Sequence, residues 1–80
     1  MKCKIKAFGI SRDIVGSREL EMEVPDGFTV SDLKKELFQK YPTFIELKSL
    51  YVALNNEYAN DDSILKSGDE IALIPPVSGG

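Results

Sequence analysis

Two segments near the N-terminus alternate strictly between charged and apolar residues, and this alternation constrains the fold more than any other feature. In KCKIKAF, residues 2 to 8, lysines occupy one parity, and in RELEMEV, residues 18 to 24, glutamates do the same. A period of two is typical of a strand with one buried face. If the two strands pair in antiparallel fashion, three lysines lie opposite three glutamates, and such opposite charges stabilise a ladder. The sequence therefore predicts a sheet that begins with this hairpin.

One later segment has helical rather than strand periodicity. Thr29 is a plausible N-cap with Asp32 three residues further on, and Pro42 marks the end of the helix. Between them, apolar residues recur at helical spacing at Val30, Leu33, Leu37, Phe38 and Tyr41. We therefore expect one main helix with one buried face.

The remaining chain predicts short strands and turns. ISRDIVG, residues 10 to 16, is long enough for one helical turn. Residues 51 to 54 and 57 to 59 indicate a pair of short strands joined by Asn55-Asn56, and residues 70 to 74 a last strand. Residues 43 to 50 receive no assignment. The expected fold class is α+β, a β-grasp (ubiquitin-like) mixed sheet with one main helix across one face and the last strand parallel to the first.

Composition excludes several classes of function. The chain of 80 residues carries a mild net charge of −3, which does not suit a nucleic-acid partner, and it contains no histidine. Its single cysteine, Cys3, has the inward parity of a core residue. No apolar run approaches the length of a membrane span, and lysines interrupt the N-terminal one. We therefore expect a cytoplasmic protein with no membrane partner and no bound cofactor or metal.

The most unusual segment is PPVSGG, residues 75 to 80, which we separate as an extended tail from a domain at residues 1 to 74. Pro75 and Pro76 favour a stiff, extended chain that cannot donate to a sheet. From Val77 to Gly80 such a chain spans about 13 Å, enough to enter a narrow pocket of another protein. The glycines make the tip slender, so the carboxylate of Gly80 is the predicted reactive group.

An apolar surface is predicted at the root of this tail. In the last strand both parities are apolar, although a strand with one solvated face would carry polar residues there. Phe8 and Tyr58 are expected to reach the same end of the sheet. Together with Ile74 and Pro75 they form a candidate partner interface.

Three blocks of the sequence carry a resemblance to a known family: FGISRDIVG, VALNNEYA and LKSGDEIALIPPVSGG. With them the chain resembles the ubiquitin-like sulfur carriers, and within that family the small subunits of molybdopterin synthases. The resemblance implies that an E1-like adenylating enzyme consumes ATP to activate Gly80. A sulfur donor, such as a cysteine desulfurase system, then converts the acyl-adenylate to a thiocarboxylate.

The resemblance also implies how the sulfur is used. The tail would enter the active site of a large synthase subunit, in a heterotetramer, and transfer sulfur to cyclic pyranopterin monophosphate. Catalytic residues are then expected on the large subunit, which makes this chain a sulfur-donor subunit. Gly80 carries the acyl-adenylate and thiocarboxylate, and Gly79 gives the tail access. The residues expected to bind partners are Phe8, Tyr58, Ile74, Pro75, Pro76, Val77 and Ser78.

Three other functions fit parts of the same pattern. The first is a sulfur carrier for another pathway, such as the thiamine thiazole or tRNA thiolation, although PPVSGG and the long first loop argue against a thiazole carrier. The second is a ubiquitin-like protein modifier that forms isopeptide bonds to lysines. The third is a noncovalent binding module whose tail has no chemical role.

Overall fold

The computed structural model describes residues 1 to 46 and 50 to 74. They form a five-stranded mixed sheet in the order β2-β1-β5-β3-β4. The strands are β1 (Lys2–Ala7), β2 (Glu19–Glu23), β3 (Tyr51–Leu54), β4 (Glu57–Tyr58) and β5 (Glu70–Ile74). β5 is the central strand, parallel to β1 and antiparallel to β3. This is the mixed sheet that the sequence predicts.

The N-terminal hairpin has the predicted register. Lys2, Lys4 and Lys6 of β1 are paired with Glu23, Glu21 and Glu19 of β2. The opposite parity of β1 is buried, because it faces the core. The two strands are joined by α1 (Ile10–Val15), the helical turn expected from ISRDIVG. Gly16 ends this helix with a φ of 83°, a conformation that favours glycine.

The main helix, α2 (Val30–Lys40), covers one face of the sheet. It begins with a complete capping box: the Thr29 side chain accepts a hydrogen bond of 3.2 Å from the Asp32 backbone N–H, and the Thr29 N–H donates one of 3.0 Å to Asp32 Oδ2. Val30, Leu33 and Leu37 are fully buried against the inward residues of the strands. The helix ends at Lys40, before Pro42.

Two segments refine the sequence-based expectations. The chain after α2 forms a 3₁₀ helix at Pro42–Glu46, in which Phe44 is buried and Ile45 is 68% exposed. Only Phe44 of this pair therefore covers the core. Asn55 and Asn56 both adopt positive φ values, 53° and 70°, as a two-residue turn between β3 and β4 requires. Within residues 1 to 46 and 50 to 74, no helix is long and apolar enough to cross a membrane.

Candidate functional site

The face of the sheet opposite α2 is the candidate site. One row of register partners crosses this face, and it reads Tyr58, Ala53, Ala72, Lys6 and Glu19 from β4 to β2. The side chains on this face alternate with the core residues Ile5, Val52, Ile71 and Leu73, which point toward α2. This face is therefore built by the same alternation that builds the core.

Three of the residues predicted to bind partners come together on this face. Phe8, Tyr58 and Ile74 line one open cavity of about 310 Å³. Phe8 is 52% exposed and Tyr58 is 72% exposed, and exposed apolar side chains that cluster in this way are typical of a surface that binds another protein. Their convergence is observed, whereas their role in binding stays a prediction.

The other residues of this cavity were not among those predicted to bind partners. Ala53 and Ala72 form its floor, and Lys6, Asn56 and Glu70 line its rim. Tyr51 packs edge-to-face against Tyr58, with ring centroids 5.7 Å apart, and supports the side of the cavity that Tyr58 forms. Parity in the last strand already places Ala72 on the outer face, between the inward Ile71 and Leu73. The same signal could have found Ala53, which follows the inward Val52.

An ion pair lies on the rim of this cavity. Nζ of Lys6 donates a hydrogen bond of 2.8 Å to Oε1 of Glu70 on the adjacent β5. This hydrogen bond, together with the charge of Glu70, raises the pKa of Lys6 above its ordinary value of 10.5. From the sequence, Lys6 was expected only to lie opposite one of the glutamates of β2. Its actual partner is on the other neighbouring strand, inside the candidate site.

Beside the apolar cavity lies a second, basic hollow. It has a volume of about 370 Å³ and shares Lys6 and Phe8 with the first cavity. Arg12 of α1 and Arg18 add two guanidinium groups, and neither forms a salt bridge within the described ranges. From the sequence, Arg12 could either fix the first loop or contact a partner, and the structure places it beside the candidate site.

The predicted reactive group cannot be placed in this geometry. Residues 75 to 80, with the predicted sites Pro75, Pro76, Val77, Ser78, Gly79 and Gly80, lie outside the described residues. What the structure does describe is the residue to which they are joined. Ile74 ends β5 and lines the apolar cavity.

The described residues offer little chemistry of their own. Cys3 is buried in the core, and this burial raises the pKa of its thiol, which disfavours the reactive thiolate. Over residues 1 to 46 and 50 to 74, no group of acidic or cysteine side chains is arranged to hold a metal ion.

Sequence comparisons give consistent matches along the whole chain. The sequence model of the ThiS family matches residues 5 to 80. A protein of Arabidopsis thaliana named molybdopterin synthase sulfur carrier subunit is 38% identical, over all of this chain and 84% of that protein. A protein of Chlamydomonas reinhardtii with the same name is 39% identical, with all of both chains covered.

Several solved structures have the same fold as this chain. A putative molybdopterin converting factor, subunit 1, from Pyrococcus furiosus has a TM-score of 0.87 and 32% identity, over 96% of this chain and 99% of that one. The small archaeal modifier protein SAMP1 of Haloferax volcanii has a TM-score of 0.83 and 29% identity over all of both chains. A subunit 1 in complex with subunit 2 of the molybdopterin-converting factor of Helicobacter pylori has a TM-score of 0.69 and 27% identity, also over all of both chains.

Proposed function

Since the chain belongs to the ThiS family, we propose that it is the sulfur carrier subunit of a molybdopterin synthase. The observation that carries this proposal is the full-length similarity, at 38% and 39% identity, to two proteins of that name. The mixed sheet with one main helix is the ubiquitin-like β-grasp fold of the structural relatives.

In this function the carboxylate of Gly80 is the working group. A carboxylate is a poor electrophile, so an E1-like enzyme first attaches it to the α-phosphate of ATP and releases pyrophosphate. The persulfide of a donor such as a cysteine desulfurase system then displaces AMP from this mixed anhydride and forms an acyl disulfide. A second thiol of the donor system reduces this bond, which leaves a thiocarboxylate on Gly80 and a disulfide on the donor. Transfer of the sulfur to cyclic pyranopterin monophosphate returns the carboxylate, with its new oxygen taken from water.

The composition of the chain supports a division of labour with a large subunit. The chain has no histidine, the commonest general acid or base, so proton transfers at the pterin fall to the partner. A relative from Helicobacter pylori was solved as a complex of subunits 1 and 2 of the molybdopterin-converting factor, which supports a large-subunit partner here. We propose that the two subunits form a heterotetramer.

The same proposal covers the remaining partners and the location. The apolar face at the root of the tail is exposed in the chain alone, and we assign it to the adenylating enzyme and the large subunit in turn. ATP is consumed by the adenylating enzyme, and this chain binds no cofactor of its own. We also propose a cytoplasmic location for the protein.

Intact-mass measurement tests the proposed chemistry. The chain is coexpressed with an adenylating enzyme and a sulfur donor, and we expect a mass increase equal to the exchange of one oxygen for sulfur at the C-terminus. The thiocarboxylate form of the protein, mixed with the large subunit and the pterin precursor, should then return to its original mass as the dithiolene forms. A chain that never gains sulfur under these conditions contradicts the proposal.

Transfer to the pterin also separates this function from sulfur carriage in another pathway. A carrier for the thiamine thiazole or for tRNA thiolation would gain sulfur in the same way and would then fail to deliver it to the pterin. Recovery of a thiazole synthase in a pull-down, without a pterin synthase large subunit, would favour that alternative.

A second candidate function is protein modification, and one observation favours it. The structure is similar to the small archaeal modifier protein SAMP1 of Haloferax volcanii, with a TM-score of 0.83. In that function the adenylated Gly80 would be attacked by a lysine amine instead of a sulfur nucleophile. Lysine conjugates that accumulate in cells, and disappear when Gly80 is deleted, would support it.

A further inference from the structure

The outer face of the sheet, opposite α2, contains a depression where two small residues lie between larger ones. Ala53 of β3 and Ala72 of β5 are register partners, so two methyl groups lie side by side at the centre of the five-stranded row. Their neighbours in that row are much larger, with Tyr58 on one side and Lys6 on the other. Because side chains stand roughly perpendicular to a sheet, small residues between large ones leave a hole.

Two of the walls are apolar and exposed. Tyr58, held by its contact with Tyr51, stands on the β4 side, and Phe8 and Ile74 stand toward the C-terminal end of β5. The resulting cavity of about 310 Å³ is large enough to receive a side chain from another molecule. A flat apolar patch would present no such concavity.

The third wall is charged. The Lys6–Glu70 ion pair lies on the rim, with both side chains about half exposed in the chain alone. A protein that covers this face removes water from both charges, and such desolvation is costly unless further hydrogen bonds compensate it. The matching surface therefore combines one protruding apolar side chain with a polar group beside it.

Connectivity indicates which protein covers the hole. Ile74 lines the cavity and is joined directly to residue 75, the first residue of the predicted tail. A protein that draws the C-terminus into its active site must therefore lie against this end of the sheet. Under the proposed function, on which this inference rests, the adenylating enzyme and the large synthase subunit both do so in turn. The similar structure from Helicobacter pylori, a complex of subunits 1 and 2 of the molybdopterin-converting factor, favours the large subunit as the occupant.

We propose that the hole floored by Ala53 and Ala72 receives one protruding apolar side chain of the large subunit, and that the Lys6–Glu70 pair meets a polar group next to it. The hole then determines the position of the carrier on its partner, because a knob in a hole allows one docking arrangement. A flat patch would allow many.

Filling the hole tests this proposal, because a hole and a flat patch predict opposite results. Ala72→Leu adds apolar area without touching the core residues on either side of it. We expect the dissociation constant for the large subunit, measured by calorimetry, to rise on the order of tenfold or more, as for loss of a central interface contact. If this face instead bound as a flat patch, Ala72→Leu would bind the large subunit equally well or more tightly, because added apolar area favours association. Lys35→Leu, at an exposed position of α2 on the other side of the sheet, is the matched control and should leave binding unchanged.

The possible outcomes are distinguishable. If the unsubstituted chain does not bind the large subunit, the proposed function fails. If it binds and folded Ala72→Leu binds as well or better, the hole proposal alone is wrong. If Ala72→Leu instead changes only self-association in sedimentation, the occupant is a second copy and the proposal is also wrong. Circular dichroism checks folding, and Ala72→Val, which suits a strand and adds less volume, replaces Ala72→Leu if the latter unfolds.

Discussion

Lys6 and Glu70 form a hydrogen-bonded ion pair, 2.8 Å from Nζ to Oε1, between two neighbouring parallel strands. The pair lies on the rim of an otherwise apolar cavity. A surface pair contributes little to the stability of a free chain, since water solvates both charges. Its importance increases when a partner excludes that water, so its effects should be larger on binding than on folding.

The first prediction concerns this pair in the complex with the large subunit. Lys6→Met keeps the unbranched stem but leaves Glu70 uncompensated at a desolvated rim, and we expect the dissociation constant to rise on the order of tenfold. Adding Glu70→Gln should recover part of this loss, because the remaining amide is neutral. Calorimetry on the two single variants and the double variant measures the coupling. Additive effects of the two substitutions would show that the pair does not act as a unit in the interface.

The second prediction concerns the start of α2. Thr29→Ala removes the side-chain oxygen that accepts from the Asp32 backbone N–H, and we expect the free energy of unfolding to fall by about 1 kcal/mol. Urea denaturation measures it. Thr43→Ala, the same substitution at an exposed position in the 3₁₀ helix, is the control and should have a much smaller effect. Equal losses in the two variants would contradict a specific role for the cap.

The third prediction is a dependence on pH at the same cap. Hydrogen bonds from the backbone N–H of Thr29, and with its side chain, lower the pKa of Asp32 below its ordinary value of 3.8. The folded pKa is lower than the unfolded one, so the stabilisation is fully present above pH 3.8 and is lost as the pH falls through the folded value. The difference in stability between the unsubstituted chain and Asp32→Asn should therefore shrink in acid. A difference that stays constant from neutral pH to pH 2 would contradict this assignment.

The fourth prediction concerns Ser11, whose hydroxyl is fully buried and has no hydrogen-bond partner among residues 1 to 46 and 50 to 74. An unpaired buried hydroxyl is costly, so Ser11→Ala should leave the melting temperature unchanged or raise it. Ser17→Ala is the contrasting variant, because the Ser17 hydroxyl donates to the Glu19 carbonyl at 2.7 Å and its loss should be slightly destabilising. If Ser11→Ala loses more than about 1 kcal/mol, the hydroxyl has a partner.

The fifth prediction concerns the tail. Replacing Gly79 with a bulky residue, or extending the chain beyond Gly80, should abolish sulfur transfer, because a wider or longer tip cannot deliver the carboxylate through a narrow channel. The folded domain should be unaffected, with an unchanged melting temperature. Sulfur transfer by the extended protein at the rate of the unsubstituted one would contradict the function proposed for Gly80.

Much of the fold could be predicted from local pattern. The alternation in β1 and β2 determined their register, and the residues from Thr29 to Pro42 determined the bounds of α2, because one repeat length dominates each segment. The apolar residues on both parities of β5 predicted an exposed surface, and Phe8 and Tyr58 indeed meet Ile74 there.

The details of the site depended on which strands are neighbours, and sequence pattern does not determine that. Lys6 has glutamates within reach on both sides of β1, and only the placement of β5 beside β1 explains its choice of Glu70. The floor of the cavity likewise exists because Ala53 and Ala72 are in register, on strands separated in sequence by the segment from 55 to 69. The 3₁₀ helix after α2 was missed because its apolar residues follow no regular period.

The central position of β5 has a mechanical consequence. If a partner pulls on the C-terminal end of the domain, the force acts along β5, which is hydrogen-bonded to β1 on one side and to β3 on the other. Both ladders are then sheared along their length, so many hydrogen bonds must break together, whereas a strand at the margin of a sheet can be peeled away bond by bond. Under the proposed function, a partner that binds the C-terminal end can therefore pull on the domain without unfolding it strand by strand.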